Sequence, residues 1–101
     1  MDPQKVRMLV GLAHSALGYA LVRQDKFLPA IPELKAASAD VKEDPSAYGT
    51  VSYRLGFAYV KAGKLVEAKA ALTEAVAVAG PYQASARELL GKVDAAMKGK
   101  K

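Results

Sequence analysis

The chain has 101 residues, of which 51% are hydrophobic and 25% charged, with no cysteine and a formal net charge of +5. This length excludes more than one domain and allows a core of modest size. The lack of cysteine excludes disulfide and thiolate chemistry. No apolar run approaches the roughly 20 residues that a membrane-spanning helix needs, so we expect no membrane partner.

The positive charge is concentrated at the C-terminal end of the sequence. Lys98, Lys100 and Lys101 lie in the last four positions, and without these three charges the net charge falls from +5 to +2. Nucleic-acid-binding domains instead carry their charge on one folded face. We therefore interpret residues 98–101 as a basic, solubilising tail.

Apolar side chains recur at three- and four-residue spacing along the chain, which predicts helices. In the first helix the recurring positions are Val6, Leu9, Val10, Ala13, Leu17, Ala20 and Leu21. With Pro, Asp and Gly as start and stop signals, we predict an all-α fold of five antiparallel helices at 3–24, 29–41, 46–62, 65–79 and 82–98. Pro32 allows two interpretations of the second helix: its first turn is loosened, or the helix begins at Pro32.

One segment of the chain is repeated. Residues 17–37 (LGYALVRQDKFLPAIPELKAA) and 55–75 (LGFAYVKAGKLVEAKAALTEA) align without gaps at an offset of 38 and share eight identical residues. Each copy has the pattern of two short amphipathic helices joined by a turn, which lies at Gly63 in the second copy. Repeats of this kind build a fold by stacking one helical hairpin on the next.

This ordered pattern resembles the tetratricopeptide repeat family, whose units are helix–turn–helix motifs of about 34 residues. The pairs Leu17-Gly18 and Leu55-Gly56 match the Leu-Gly pair of the family's first helix, and Tyr59 matches its following aromatic residue. Small residues are expected where two helices cross, with a large apolar residue between them. The matching positions are Ala30, Ala37, Ala68 and Ala75 for the small residues, and Leu34 and Leu72 for the large ones.

The sequence departs from the family pattern at several positions. His14 and Ser52 stand where the family has a bulky aromatic residue, and Asp25 replaces the turn glycine in the first copy. The offset between copies is also about four residues longer than the family period. The resemblance implies a right-handed superhelix in a single domain, 1–101, with repeats at about 11–41 and 49–80, a connector at 42–48 and a capping helix at 82–98.

The sequence contains few residues that could form an active site or a metal site. His14 is the only histidine, and we expect it to pack between helices. Asp40, Glu43 and Asp44 form the only acidic cluster, which also contains Lys42 and lacks the glycine of a calcium loop, so we interpret it as a solvated connector. There is no nucleophile elbow and no glycine-rich phosphate loop. We therefore predict no catalytic residues, no cofactor and no metal.

The third helix carries a second apolar stripe, which consists of Tyr53, Phe57 and Val60. This stripe lies on another side of the helix from Leu55, because the step of two residues from Leu55 to Phe57 turns about 200° around the helix axis. A helix that is apolar on two faces needs two neighbouring helices or a partner. One hypothesis is that the aromatic residues pack against adjacent helices. The other follows from the resemblance, which implies a concave groove suited to a peptide with apolar anchors and acidic or C-terminal carboxylate groups. The groove residues would be Ser15, Tyr19, Val22, Arg23, Tyr53, Arg54, Phe57, Val60, Lys61 and Arg87.

We interpret the chain as a protein–protein interaction module without catalysis. The alternative is a structural element that assembles with a second copy of itself, because about three repeats are normally needed for a stable stack and two are recognised here. A basic helical nucleic-acid binder is the third and least favoured hypothesis. We expect a soluble protein, with the cytoplasm favoured, and the sequence fits an excised domain of a longer protein equally well.

Overall fold

The structure is a computed structural model that describes residues 2–99, and its regular elements are all helices. They are α1 (Pro3–Arg23), α2 (Phe27–Asp40), α3 (Pro45–Lys61), α4 (Leu65–Ala77) and α5 (Gln83–Gly99). The prediction of five helices without a strand is therefore confirmed for the described part of the chain. Within that part, no helix is both long and apolar enough to cross a membrane. Of the predicted basic tail, Lys98 lies in α5, while residues 100 and 101 lie outside the described range.

Aspartate caps determine where two of the helices begin. The Asp2 side chain accepts a hydrogen bond from the Gln4 N–H at 3.0 Å, which caps α1. Asp44 caps α3 by accepting a hydrogen bond from the Ala47 N–H at 3.1 Å, with a proline in the first helical position. α3 therefore begins one residue before the predicted start, and the connector predicted at 42–48 is shortened to 41–44.

The second helix begins earlier than predicted. α2 starts at Phe27 rather than at 29, and Pro32 lies inside it. The alternative in which the helix begins at Pro32 is therefore wrong. Proline has no N–H to donate to the carbonyl four residues earlier, so α2 lacks one backbone hydrogen bond near its start. The Ala30 N–H donates to the Lys26 carbonyl at 3.2 Å and closes the turn in front of the proline.

The two hairpins use the same turn. Asp25 and Gly63, which are equivalent positions of the two copies, both have a left-handed backbone, with φ of 60° and 77°. In the first turn the Lys26 N–H donates to the Leu21 carbonyl at 2.8 Å, and the equivalent bond of the second turn has the same length. This is the Schellman arrangement that commonly ends a helix. Aspartate can replace glycine here because it tolerates the left-handed backbone better than most residues.

A glycine in the first helix of each hairpin lets the second helix approach closely. A Cβ placed on Gly18 would lie 2.6 Å from Cγ of Leu34, and one placed on Gly56 would lie 2.6 Å from Cγ of Leu72. The predicted crossing residues beside these contacts are at most 1% exposed: Ala30, Ala37, Ala68, Ala75, Leu34 and Leu72. The repeat in the sequence is therefore also a repeat in packing.

The helices form two layers in an elongated molecule of 52 × 27 × 18 Å. Each helix packs against the next one in the chain, and α3 also contacts α1 and α5. Over residues 2–99, α2 and α4 do not contact each other. One layer therefore contains α1, α3 and α5, and the other contains α2 and α4. The main buried cluster draws its fully buried residues from α2 to α5 rather than from α1.

α1 packs against α2 and α3 through small residues. Its buried positions are Gly11, Ser15 and Gly18. The periodic apolar residues that predict this helix remain 42% to 56% exposed at Val6, Leu9, Val10 and Leu17. Their spacing therefore predicts the helix correctly, but it does not mark the buried face.

Candidate functional site

One side of the α1–α3–α5 layer is aromatic and gathers five of the chain's seven aromatic residues. The rings of Phe27 and Phe57 meet edge to face, with 6.4 Å between their centres. The rings of Tyr53 and Tyr82 stack, with 5.1 Å between their centres. We call this surface the aromatic groove and define it by Tyr19, Phe27, Tyr53, Phe57 and Tyr82.

The aromatic groove consists of two adjoining clefts of about 480 Å³ and 220 Å³. Both clefts are lined by Tyr19, Val22 and Phe57. Tyr19 and Phe57 are equivalent residues of the two copies, so α1 and α3 build this shared wall from the same repeat position. Tyr53, Phe57 and Lys61 follow at four-residue spacing and therefore lie on one side of α3.

Three basic side chains lie over aromatic rings of the groove. The guanidinium carbon of Arg54 is 4.2 Å from the centre of the Tyr19 ring, and that of Arg23 is 5.8 Å from the same point. Lys61 Nζ is 5.5 Å from the centre of the Phe57 ring. A cation within about 6 Å of a ring centre is attracted to the face of that ring. The groove therefore combines apolar surface with positive charge.

Arg54 is the most constrained of these cations. Its Nη1 donates a hydrogen bond to Ser15 Oγ at 2.9 Å, while its Nε is buried without a hydrogen-bond partner among residues 2–99. A buried donor without an acceptor is unfavourable. Asp25 lines the larger cleft and brings one negative charge against the three positive ones.

Burial raises the pKa of Tyr53 above its ordinary value of 10.0, and the neighbouring Tyr82 and Glu88 raise it further. The Tyr53 hydroxyl is therefore protonated at neutral pH and can donate a hydrogen bond to a ligand. Burial also raises the pKa of Tyr59, which lies on the opposite side of α3. Neither tyrosine contributes charge near pH 7.

Seven of the ten residues predicted for a groove line the two clefts: Tyr19, Val22, Arg23, Tyr53, Arg54, Phe57 and Lys61. Ser15 is only 3% exposed and accepts the hydrogen bond from Arg54. Val60 packs against the main core. Arg87 is exposed on α5 and lines neither cleft. The aromatic rings contact one another across helices, as the packing hypothesis expects, and still border open clefts.

Phe27 and Tyr82 belong to the groove but to no predicted apolar stripe. Phe27 lies in the first turn of α2, ahead of the predicted start at 29. The repeat contains a signal for it, because its counterpart in the second copy is Leu65, where α4 begins as predicted. Tyr82 lies in the turn before α5, and its contact with Tyr53 joins residues that are distant in sequence.

A third cleft, of about 530 Å³, lies on the opposite side of α3 between α2 and α4. We call it the outer cleft, and its lining includes Lys35, Tyr48, Tyr59, Glu67 and Glu74. It is larger than either cleft of the aromatic groove, but its basic and acidic side chains are mixed. Tyr59 is 9% exposed and belongs to the main core. The outer cleft therefore offers fewer accessible aromatic side chains to a ligand.

His14 is paired with a carboxylate on the neighbouring helix. Its Nδ1 lies 2.7 Å from Glu33 Oε1, and the contact joins α1 to α2. This pairing depends on the register of two helices, so the sequence alone does not indicate it. Of the predicted acidic cluster, Asp40 is the last residue of α2 rather than part of the connector, and its Oδ1 lies 3.8 Å from Nε of Arg7. Among residues 2–99, no group of three His, Cys, Asp or Glu side chains is arranged to hold a metal ion.

No family model, curated protein or solved structure matches the chain at a significant level. Its function is therefore inferred from its own residues, chiefly those of the aromatic groove.

Proposed function

We propose that the chain is a tetratricopeptide-like interaction module that binds a peptide segment of a partner protein in the aromatic groove, without catalysis. The observation that carries this proposal is the collection of five of the seven aromatic residues on one side of the stack, with three cations over their rings. Aromatic and arginine side chains are the residues that most often dominate binding energy at interfaces.

The packing supports a repeat architecture with two units. The contacts of Gly18 with Leu34 and of Gly56 with Leu72 lie at equivalent positions of the two copies, as do the two left-handed turns. α3 contacts both α1 and α5, so these three helices can line one continuous surface. We therefore propose repeats at 11–41 and 49–80 that stack in a superhelix.

α5 has the features of a capping helix. Leu90-Gly91 repeats the Leu-Gly pair of α1 and α3, but a Cβ on Gly91 would have no atom of the described residues within 4 Å. The exposed side of α5 instead carries Arg87, Glu88 and Lys92. A polar outer face is what the terminal helix of an open stack needs.

The ligand that fits the groove has a large apolar side chain and a carboxylate. The apolar side chain would enter beside Tyr19 and Phe57, the wall that both clefts share. The carboxylate would pair with the guanidinium of Arg54, which lines the smaller cleft, or with Lys61, which lines the larger one. Charge-assisted hydrogen bonds of this kind are stronger than neutral ones. Acidic side chains and a free C terminus both supply such a group.

Selection from a random peptide library with free C termini, followed by fluorescence anisotropy of the selected peptides, tests the proposal. We expect Phe57→Ala to weaken binding by more than about 10-fold, because it removes an aromatic anchor. Val66→Ala is the control, since Val66 is 69% exposed on α4 and lines neither cleft of the groove. Unchanged binding in Phe57→Ala, with helical content preserved in circular dichroism, would contradict the proposal.

The charge contribution is tested by Lys61→Glu against Lys64→Glu. Both lysines are exposed, but only Lys61 lines the groove. We expect Lys61→Glu to weaken the binding of acidic peptides by about 5-fold and Lys64→Glu to change it by less than about 2-fold. Amidation of the peptide C terminus then shows whether the recognised carboxylate is the terminal one. If the two variants weaken binding equally, the attraction comes from overall charge and the role assigned to Lys61 is wrong.

A further inference from the structure

The exposed side of α1 is apolar over most of its length. No charged residue occurs between Arg7 and Arg23. Each residue of an α-helix turns roughly 100° around the axis, which places seven apolar residues of α1 on one side of the helix. The centre of this side is roughly 140° around the helix axis from the α1 residues that line the aromatic groove. We call this side the α1 outer face, and all of its members are exposed: Val6, Leu9, Val10, Ala13, Ala16, Leu17 and Ala20.

The corresponding side of α3 is covered by another helix. Three residues of the α1 outer face have their counterparts at the repeat offset in Val51, Leu55 and Ala58. These are only 1%, 9% and 0% exposed. Val51 shares a buried cluster with Ala37 and Val41 at the end of α2, while Leu55 and Ala58 belong to the main cluster, which contains residues of α2, α4 and α5. No helix of the described chain occupies the equivalent place on α1.

The α1 outer face is large enough to form an interface. Its seven side chains expose an area on the order of 500 Å², which is the size of the largest apolar patch on a typical monomer, and such patches are often functional. Complete burial of two such faces would remove at most on the order of 1,000 Å² from solvent, the lower limit for a specific protein–protein interface. We therefore expect a weak but specific contact.

A second copy of the chain offers a matching surface on the same helix. One side of α2 packs on α3. The corresponding side of α4 is not free, because α5 already packs on it. The exposed side of α5 carries Arg87, Glu88 and Lys92, which would be costly to bury against an uncharged helix. The α1 outer face of the second copy is free of charge. Contact between two identical surfaces produces a closed two-fold dimer.

The order of large and small residues favours an antiparallel pair of α1 helices. With Ala13 at the two-fold axis, residues equally far before and after it face each other across the interface. The pairs that meet are Val6 with Ala20, Val10 with Ala16, and Leu9 with Leu17. Valine thus opposes alanine on both sides, and alanine meets alanine at the centre, where small residues permit close packing. A parallel pair would instead place valine against valine at one end and alanine against alanine at the other.

We infer that the α1 outer face is a self-association surface, through which two copies of the chain form an antiparallel, two-fold dimer centred on Ala13. The aromatic groove lies on another side of α1 and stays open in this dimer. The inference is therefore independent of the proposed peptide binding. It also accounts for a first helix that is apolar on its exposed side.

Sedimentation equilibrium over low to high micromolar concentrations tests the dimer. We expect Ala13→Glu to weaken dimerisation at least about 10-fold, because two carboxylates would be buried against each other at the axis. Ala95→Glu is the matched control, since it makes the same change at an exposed alanine of α5. Circular dichroism checks that both variants fold. A parent chain that is monomeric at every concentration overturns the inference, and so does an Ala13→Glu variant that dimerises like the parent.

Cysteine cross-linking tests the antiparallel geometry, because the chain contains no cysteine of its own. In an antiparallel pair, two Ala13→Cys residues meet at the axis and form a disulfide under mild oxidation. Two Ala20→Cys residues would lie about 21 Å apart along the helices, beyond disulfide reach. We expect a cross-linked dimer for Ala13→Cys only. Equal cross-linking of both variants, as in a parallel pair, or of neither, overturns the proposed geometry.

A membrane surface is the other occupant that an apolar helix face could accept. Co-sedimentation with vesicles of phosphatidylcholine and phosphatidylserine distinguishes it from the dimer. We expect the parent chain and Ala13→Glu to behave alike in this assay. Vesicle binding by a monomeric parent that is lost in Ala13→Glu would assign the face to lipid and overturn the dimer.

Discussion

α1 and α3 hold the same position in successive hairpins, yet only α3 is enclosed. Leu55 of α3 is 9% exposed, whereas its counterpart Leu17 of α1 is 50% exposed. In both helices a glycine is in close contact with a leucine of the following helix. The difference lies on their other side, where α2 packs on α3 and no described helix packs on α1.

This comparison separates two effects of an apolar pattern. Three- and four-residue spacing of apolar side chains determines that the segment forms a helix. Whether that side becomes core depends on the helix packed against it, which the local sequence does not contain. Burial contributes about 25 cal/mol for each Å² of apolar surface. The same leucine therefore stabilises α3 much more than α1.

The largest expected difference is between Leu55→Ala and Leu17→Ala. Leu55→Ala removes a buried side chain and should lower the free energy of unfolding by about 3 kcal/mol. Leu17→Ala removes a half-exposed one and should cost less than about 1 kcal/mol. Urea unfolding of dilute samples, in which the chain is monomeric, measures both. Equal losses would show that α1 is covered in solution by part of the same chain.

The glycines of the first helices give the next largest effect. Gly18→Ala and Gly56→Ala each place a Cβ 2.6 Å from a leucine Cγ, so each should destabilise the fold by about 1–2 kcal/mol. Gly91→Ala has no neighbour within 4 Å and should stabilise α5 by about 0.5–1 kcal/mol through its helix propensity. Thermal unfolding of the three variants reports the sign of each change. Destabilisation by Gly91→Ala would mean that a helix does pack on this glycine.

The two turns differ in the residue that adopts the left-handed backbone. Gly63→Ala should cost about 1–2 kcal/mol, because a side chain is strained at φ of 77°. Asp25→Gly should have the opposite sign and stabilise the first hairpin by less than about 1 kcal/mol, since it relieves strain at φ of 60°. Chemical denaturation compares them directly. A loss of stability in Asp25→Gly would show that the aspartate side chain contributes more than the backbone strain it introduces.

The smallest effect is a loss of stability at alkaline pH. Burial, followed by Tyr82 and Glu88, raises the pKa of Tyr53 above 10.0 in the folded chain. The folded state then holds its phenolic proton more tightly than the unfolded state. This contribution to stability is fully present below pH 10 and is lost as pH rises through the folded pKa. In the Tyr53→Phe variant, the urea concentration at the unfolding midpoint should therefore fall less between about pH 9 and pH 11 than in the parent chain. An unchanged decline would contradict the burial of this hydroxyl.

Much of the fold is predictable from the sequence because its signals are local. The helices follow from apolar spacing and from caps such as Asp44, and the hairpin contacts follow from the repeat that contains Gly56 and Leu72. Most of the groove is predictable because Tyr19 and Phe57 share a repeat position. The contacts of His14 with Glu33 and of Tyr53 with Tyr82 are not, because they depend on how distant segments are aligned.

Chemical-shift mapping by NMR decides most directly whether peptide binds in the aromatic groove or in the outer cleft. An isotope-labelled chain would be titrated with a peptide obtained from the library selection. We expect the largest shift changes at Tyr19, Arg54 and Phe57, with little change at Lys35 and Glu74. The largest changes at Lys35 and Glu74, on the opposite side of α3, would contradict the proposed binding site.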